Sequence, residues 1–431
     1  MLALATKVPI VAPMQEKPTS PNSSPDPKDA LSGVKVLDLS RVLAGPWASQ
    51  FLGDLGAEVI KIERPGLGDD TRRWGPPFFE RDGAAANDRH DAAYFLCAKR
   101  NKKSVAINIA DPRGADIIRR LAADCDILLE NFKVGGLSKY GLDFPSVSKI
   151  NPRLVYCSIT GFGQSGPHRD KAGYDYMIQA MGGLMSITGQ PAGTPGDEPM
   201  KVGVAVADIF TGMYAVGSIL AALRHAERTG QGQHLDVALF DCQAAMLANQ
   251  ASNYFVSGTP PQRMGNAHPN IAPYQVVPVA DGYIVIAVGN DGQFAKFCDA
   301  LARSDLTTDQ RFQSNSSRVQ NRKALNAEII PVLVTRDGAD WLDMFEQAGV
   351  PAGPINDLKQ VFNDPQSEAR QLTTKCSPTL PKIAAHPVKY TQTPARTPSF
   401  PPALGDATLS VLKDYLSEEE FHQLASDGVI D

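Results

Sequence analysis

Residues 33–63 read GVKVLDLSRVLAGPWASQFLGDLGAEVIKIE, and this stretch decides the fold class. GVKVLDLS is typical of a buried strand, PWASQFLGDLG of a helix that ends at a glycine, and AEVIKIE of a second strand. The alternation continues with KSVAINI, PRGADIIRRLAADC, DILLENF and RLVYCSITGFG. Alternating strands and helices predict an α/β fold with a doubly wound, Rossmann-like parallel sheet that is covered on both faces.

The chain has 431 residues, which is enough for two compact domains. Seven prolines between residues 377 and 402 predict an extended arm, and DATLSVLKDYLSEEEFHQLAS predicts a helical cap after it. We predict a tail at residues 1–30, a large α/β domain at 31–240 completed by about 370–431, a linker at 241–270, a smaller α+β domain at 271–355 and a return linker at 356–376.

Composition excludes several classes of protein. The chain is 43% hydrophobic and 21% charged with a formal net charge of -5, so no basic surface for nucleic acid is expected. No apolar run reaches the roughly 18 residues that a membrane span needs. The six cysteines form no CxxC pair, which argues against a zinc site or a disulfide framework.

Common catalytic motifs are also missing from the sequence. It contains no Walker A pattern, HExxH or GxSxG, and its one GxGxxG, GFGQSG at residues 161–166, runs into Pro167. These absences disfavour a P-loop nucleotidase, a zinc protease, a serine hydrolase and a dinucleotide-dependent dehydrogenase. We expect no metal ion and no permanently bound cofactor.

The N-terminal 30 residues have two interpretations. They are poor in acidic residues up to Glu16, as in a mitochondrial presequence, but they contain no arginine and become rich in proline and serine, as in a disordered tail. The predicted location is accordingly the mitochondrial matrix or the cytoplasm.

Asp208 is the only acidic residue between Lys201 and Glu227, and it precedes a long helical pattern. One interpretation is an N-cap, because aspartate at a helix start accepts backbone N–H bonds. The other is a poorly solvated carboxylate that acts as a nucleophile. The residues alone leave both interpretations open.

Several blocks of the sequence closely resemble the class III CoA-transferases, the CaiB/BaiF family. They are VLDLSRVLAGPWASQFLGDLGAEVIKIERPGLGDDTRRWGPP, NKKSVAINI, LLENFKVGGLSKYGL, SITGFGQSGPHRDKAGYD, ADIFTG and RTGQGQHLDVALFD, in the family's order from about Leu31 to the C-terminus. Through RVLAGP, GDDTRRWGPPF, RNKKS and AHPNIAPYQ the chain is most similar to members that move CoA from succinyl-CoA to glutarate. The resemblance implies a CoA-transferase whose substrates are acyl-CoA and small carboxylic acids.

The resemblance also implies site residues. The nucleophile is the aspartate of ADIFTG, Asp208, and not Asp175 of GYD. CoA would contact residues spread over four segments of the large domain: Val42, Leu43, Arg64, Ile107, Asn108, Asn131, Phe132 and Lys139. The family's architecture implies a homodimer of two interlocked rings, each closed by the proline-rich arm and the C-terminal cap.

Two other functions were weighed against CoA transfer. The racemase branch of the family carries a histidine in GHD where this chain has Tyr174, so an acyl-CoA racemase would lack one of its two acid/base groups. A non-catalytic CoA-binding protein would be expected to lack the acid at position 208.

A dicarboxylate acceptor needs a cation for its distal carboxylate, because an unpaired buried charge is costly. Arg100 and Lys201 are the candidates that the sequence offers for this contact. His268 has two interpretations, as part of a loop that covers the site or as a residue with local hydrogen bonds only.

Overall fold

The computed structural model describes residues 29–80 and 91–431, so the predicted tail lies almost wholly outside the described residues. The strands of the described part are β1 Lys35–Asp38, β2 Glu58–Glu63, β3 Phe78–Phe79, β4 Asp91–Ala92, β5 Lys102–Ala106, β6 Ile127–Glu130, β7 Val155–Thr160, β8 His234–Ala238, β9 Tyr274–Val279, β10 Gly282–Ala287, β11 Ala352–Pro354, β12 Thr373–Thr374 and β13 Ile383–Ala384.

The helices of the same part connect and cover these strands. They are α1 Ala44–Asp54, α2 Ala93–Leu96, α3 Pro112–Asp124, α4 Phe144–Ile150, α5 Asp175–Met181, α6 Leu184–Ile187, α7 Val206–Thr229, α8 Leu239–Met246, α9 Ala248–Ser257, α10 Asp291–Ala300, α11 Asn315–Gln320, α12 Arg322–Leu333, α13 Gly338–Ala348, α14 Leu358–Asn363, α15 Pro365–Ala369, α16 Thr408–Leu412 and α17 Glu418–Ser426.

Six strands form the central sheet in the order β5-β2-β1-β6-β7-β8. Every neighbouring pair in this sheet is parallel. The order reverses at β1, so the chain winds outward in both directions, as the alternation of strands and helices predicted. The predicted parallel α/β fold is therefore confirmed.

Hydrophobic cores cover both faces of this sheet. On one face, α3 packs with residues from the end of the chain, including Leu412, Leu424 and Val429. On the other face, α1 and α7 pack through Leu52, Ile219 and their neighbours. Burial on both faces accounts for the near-continuous apolar runs of the strands.

A third core belongs to residues 274–354. The antiparallel sheet β11-β10-β9 packs there against α10, α12 and α13 through side chains such as Phe297, Leu325 and Trp341. Antiparallel strands beside helices give this part the α+β character that its sequence predicted. The division of the chain into domains stays a prediction, and the predicted linker at 241–270 holds α9 and most of α8.

Helix α7 is the one described helix that is long and apolar enough to cross a membrane, with a mean hydropathy of 1.7. Its residues Thr211, Ala215 and Ile219 are fully buried against the sheet and its neighbours. Core helices of globular proteins pass the same test of length and composition, so that test alone does not identify α7 as a membrane span; 44% of its apolar window is buried.

The end of the chain returns to the central sheet. The Asn108 N–H donates to the Val429 carbonyl at 2.8 Å, and Ile107 pairs with Ile430 in an isolated antiparallel bridge. The predicted helical cap consists of the two helices α16 and α17, and Ser417 and Glu420 form the capping box that starts α17. This return places the last residues of the chain beside β5.

Arg100 anchors the proline-rich arm to the large sheet. Its guanidinium Nε donates to Asp54 Oδ1 at 2.9 Å, and Nη1 donates to the Ala384 carbonyl at 3.0 Å. His386 Nδ1 lies 3.1 Å from Asp54 Oδ2. Because the guanidinium is buried and paired, Arg100 is not available to a substrate carboxylate, and its assignment as a substrate contact is withdrawn.

Arg100→Met should lower the free energy of unfolding by about 3 kcal/mol, because it leaves the Asp54 carboxylate buried without its main partner. Urea titration followed by circular dichroism measures the change. The matched control is Lys103→Met, which breaks a surface pair with Glu58 and should change stability by less than about 1 kcal/mol. Equal effects of the two substitutions would contradict the structural role of Arg100.

Candidate active site

Asp208 occupies the third position of α7 and is 9% exposed. The N-cap is Ala205, which offers no side-chain hydrogen bond, so the N-cap interpretation of Asp208 is wrong. The backbone N–H of Asp208 donates to Asp175 Oδ1 at 3.3 Å, and in the described part of the chain no hydrogen bond to the Asp208 carboxylate is found. The carboxylate of Asp208 is thus left for other chemistry.

The cap of α7 comes from a different helix. Asp175, the first residue of α5, accepts the N–H of Ala207 at 2.8 Å through the same Oδ1 that receives the N–H of Asp208. Gln179 Nε2 donates to the other oxygen, Oδ2, at 2.7 Å. Asp175 is not the acid that the family resemblance implies as the nucleophile, and in the structure it holds the amino end of α7.

Asp208 lies in the wall of a cavity of about 450 Å³. The cavity also contains Val42 and Leu43 from the loop between β1 and α1, and Gly161 and Gly173 from two further loops. A Cβ on Gly161 would lie 2.5 Å from the Gly173 Cα, so only glycine permits these loops to approach so closely. Parallel strands end at this edge of the sheet, which brings the loops together around Asp208.

Helices α1 and α7 approach closely beside the cavity. A Cβ on Gly212 would lie 2.7 Å from the Ala44 carbonyl oxygen, so glycine is required one turn after Asp208. This contact places the amino end of α1, with Leu43 and Ala44, next to the amino end of α7. The amino end of a helix carries free backbone N–H groups, which favour negative charge, and at the amino end of α7 Asp175 accepts two of them.

Buried ions hold the loop between β1 and α1. Val42 has φ of 69°, a left-handed conformation that is uncommon for a β-branched residue. The Lys99 ammonium donates to the Val42 carbonyl at 2.9 Å, and the Val42 N–H donates to Asp69 Oδ1 at 3.3 Å. Lys99 is also 3.2 Å from Asp69 Oδ2, so one buried ion pair binds both the backbone N–H and the backbone carbonyl of Val42.

Burial controls the protonation of Asp208. Desolvation, and after it the charge of Asp175, raises the pKa of the Asp208 carboxyl to about 7. Tyr94 on α2 is coupled to it, because burial and then the charge of Asp208 raise the pKa of that phenol to about 12. A carboxylate of this kind is poorly solvated and reactive when ionised, beside a tyrosine that keeps its proton.

A second cavity of about 270 Å³ adjoins the first and shares Arg41, Asp70 and Phe132 with it. Of the residues predicted to contact CoA, Arg64, Ile107, Asn108 and Phe132 line this second cavity. Val42, Leu43, Asn131 and Phe132 line the cavity of Asp208. Lys139 does not line either cavity, but its ammonium lies 4.7 Å from the ring centre of Tyr140, which lines the second cavity.

The predicted substrate residues are placed differently. Tyr174 lines the Asp208 cavity and is 61% exposed. Lys201 is exposed outside the cavity wall, and its ammonium donates to the Val202 carbonyl. His268 Nδ1 accepts from the Asn270 N–H at 3.1 Å, and its carbonyl accepts from Arg322, which is 54 residues away in the chain.

Four cations that the sequence did not predict as site residues line the cavity: Arg41, Lys133, Arg169 and Lys171. Arg169 and Lys171 line the same wall as Asp208 and lie within the motif GPHRDKAGYD. Arg169 is 3.5 Å from its exposed neighbour Asp170, while Lys171 forms no ion pair within residues 29–80 and 91–431. The position of Arg169 and Lys171 just before the GYD motif is the sequence feature that could have indicated them as site residues. Across the described residues, no cluster of three or more His, Cys, Asp or Glu side chains could hold a metal ion.

Comparison with known proteins agrees with this arrangement. The chain matches the model of CoA-transferase family III over residues 31–408. It is 49% identical over 394 residues to the succinate–glutarate CoA-transferase of Agrobacterium fabrum, covering 90% of this chain and 96% of the relative. It is 44% identical over 410 residues to the human succinyl-CoA:glutarate CoA-transferase, covering 93% and 90%.

A solved structure shares the fold. It is a CaiB/BaiF family protein from Brucella suis with a TM-score of 0.79 and 48% sequence identity, covering 91% of this chain and all of the solved chain. The family model spans most of the sequence, and the relatives match it over nearly their whole length. The chain therefore belongs to CoA-transferase family III and is an enzyme that transfers CoA.

Proposed function

We propose that the enzyme moves CoA from succinyl-CoA to glutarate or a related dicarboxylate, with Asp208 as the covalent nucleophile. The observation that carries this proposal is the Asp208 carboxylate itself, which is buried, receives no hydrogen bond in the described part of the chain and lies in the wall of a cavity. The names of the relatives from Agrobacterium fabrum and human support the two acids.

The proposed reaction has four balanced steps. A carboxylate oxygen of Asp208 attacks the thioester carbon of the donor, forming a mixed anhydride and expelling CoA as the thiolate. The thiolate attacks the Asp208 carbonyl carbon, giving an aspartyl-CoA thioester and releasing the donor acid. The acceptor carboxylate displaces the thiolate to form a second anhydride. The thiolate then attacks the acceptor acyl carbon and restores the Asp208 carboxylate.

The two adjoining cavities suit the two ends of CoA. Arg64 and Asn108 supply a cation and an amide in the outer cavity, which suits the phosphates of the ADP portion. Val42 and Leu43 would flank the thioester beside Asp208. The N–H groups of the glycine-bearing loops and of the amino end of α1 would stabilise the tetrahedral oxyanions. CoA enters as a substrate, and water must be excluded because it hydrolyses anhydrides.

Tyr174 favours transfer over racemisation. A racemase needs two acid/base groups on opposite sides of the α carbon, and the wall next to Asp208 carries a phenol at position 174 in place of an imidazole. The presence of the acid at position 208 likewise disfavours a non-catalytic CoA-binding protein.

Arg169 and Lys171 are the proposed partners of the distal carboxylate of the dicarboxylate. They lie in the same cavity wall as Asp208, whereas Arg100 is paired with Asp54 and Lys201 lies outside that wall. Two cations near one nucleophile suit a molecule with a carboxylate at each end.

We also propose that the enzyme is a homodimer of interlocked rings. Helices α5, α7 and α9 carry exposed large apolar side chains, among them Tyr176, Tyr214, Tyr254, Phe255 and Val256, of which Val256 is 91% exposed. Helix α8 packs against each of these three helices. Such a surface is typical of a protein interface.

Asp208→Ala should abolish covalent labelling. Wild-type enzyme incubated with succinyl-CoA and hydroxylamine should form a hydroxamate on the peptide that contains Asp208, because hydroxylamine traps the anhydride and the thioester. Peptide mass spectrometry detects it. Asp170→Ala, which removes another acid of the same wall, should keep the label. A wild-type enzyme that turns over without any label at Asp208 would contradict the proposal.

Lys171→Ala should raise the KM for glutarate about tenfold, because a charge-assisted hydrogen bond contributes about 1.5 to 3 kcal/mol. Initial-rate kinetics with glutarate and with pentanoate show whether the change in KM depends on the distal carboxylate, because pentanoate has none. Lys149→Ala on the surface of α4 is the control. A rise in KM that is equal for both acids would rule out a contact with the distal carboxylate.

Enzyme expressed with Phe255→Asp and Val256→Asp together should be monomeric, because two charges in an apolar interface would oppose the assembly of the two chains as they fold. Sedimentation velocity measures the mass. Ile150→Asp, which changes an exposed apolar residue of α4, should leave the dimer intact. A monomeric wild-type enzyme would overturn the proposal of interlocked rings.

A further inference from the structure

Two carboxylates meet at the amino end of α7, and their hydrogen bonds differ completely. Asp175 Oδ1 accepts from the N–H groups of Ala207 and Asp208, and its Oδ2 accepts from Gln179. The Asp208 carboxylate receives no donor in the described part of the chain. One acid is therefore fixed by the backbone of the helix on which the other acid stands.

We propose that Asp175 is a positioning residue for acyl transfer at Asp208, which fixes the first turn of α7 and disfavours the ionised carboxylate of Asp208 relative to its uncharged acyl forms. This inference rests on the proposed function of Asp208 as the nucleophile.

The first part of the role is mechanical. The N-cap Ala205 has no side chain that could bind the first N–H groups of α7, and Asp175 performs that function from α5. Gln179 extends the support, because its Oε1 accepts the Val202 N–H at 2.9 Å and its Nε2 holds Asp175. Gln179 is fully buried. The α5 side chains thus fix both the turn that carries Asp208 and the loop that leads into it.

The second part of the role is electrostatic. Asp175 carries a charge of the same sign as ionised Asp208, in a place where burial weakens screening by water. Attack on the donor converts the Asp208 carboxylate into an anhydride and then a thioester, neither of which is charged. The repulsion from Asp175 is present before attack and absent after it, so it favours formation of the acyl enzyme.

Other charges surround Asp208 as well. The cavity walls carry Arg41, Asp70, Lys133, Arg169, Asp170 and Lys171 on loops, and Tyr94 faces it from α2. Asp175 differs from these groups, because it bonds the backbone of Asp208 directly and raises the pKa of that carboxyl beyond the effect of burial.

The direction of the pH effect follows from the charge. The nucleophile is the ionised form of Asp208. The value of kcat/KM should therefore be highest above the pKa of Asp208 and should fall as the pH falls through about 7. Removing the negative charge at position 175 stabilises ionised Asp208 and lowers its pKa. The midpoint of the acid limb must then move to lower pH.

The test compares three substitutions at position 175 by measuring CoA transfer from succinyl-CoA to glutarate between about pH 5 and 9. Asp175→Asn keeps an oxygen for the two N–H groups and should lower the midpoint of the acid limb of the kcat/KM profile by about one pH unit. Asp175→Glu keeps the charge, so its midpoint should stay at the wild-type value while kcat falls, because the longer side chain displaces the turn. Asp175→Ala removes cap and charge and should lose the most kcat.

Glu227→Gln is the matched control, because it removes an exposed negative charge from the other end of α7, and its midpoint should not move. Thermal melting checks that each variant is folded. An unchanged midpoint in Asp175→Asn, or an equal shift in Asp175→Glu, would overturn the inference. Hydroxylamine labelling of Asp208 in the wild type separates the two proposals. If Asp208 is labelled but the midpoint of Asp175→Asn does not shift, only the role of Asp175 is contradicted. If Asp208 is not labelled, its role as the nucleophile is contradicted.

Discussion

The hydrogen bonds at the amino end of α7 are the constraint on which the site depends. Asp175 takes the backbone N–H groups of Ala207 and Asp208, so the Asp208 carboxylate is spared the capping role that its position in the sequence suggested. Burial, and after it the charge of Asp175, then raises the pKa of the Asp208 carboxyl to about 7. A carboxylate that was a cap would be stabilised and unreactive, while this one is destabilised and accessible from a cavity.

The parallel sheet explains why the other parts of the site arrive at the same place. The loop after β1 carries Val42 and Leu43, the loop after β6 carries Asn131 and Phe132, and the loop after β7 carries Gly161. Carboxyl ends of parallel strands lie at one edge, so these loops share a cavity although they are far apart in the chain. The buried pair of Lys99 and Asp69 then holds Val42 in its uncommon conformation.

Much of this could be predicted from the sequence, and the limits are physical. Alternating apolar runs identified the strands of the parallel sheet, because burial on both faces leaves a clear pattern. The start of the last helix also has a local sequence pattern, because Ser417 followed by Glu420 is typical of a capping box. The sequence did not indicate the partner of Arg100, because Asp54 is 46 residues away, or the capping role of Asp175, because the Ala207 N–H that it accepts is 32 residues away. Contacts of that kind have no local sequence pattern.

Oxygen transfer tests the central claim most directly. In the proposed reaction the acceptor leaves one of its carboxylate oxygens on Asp208, and the donor acid departs with an oxygen taken from Asp208. Turnover with glutarate labelled with oxygen-18 in its carboxylates should therefore place the label in the peptide that contains Asp208, as mass spectrometry would detect. Turnover that transfers CoA but leaves this peptide unlabelled would contradict the account, because CoA would then move without an acyl bond to Asp208.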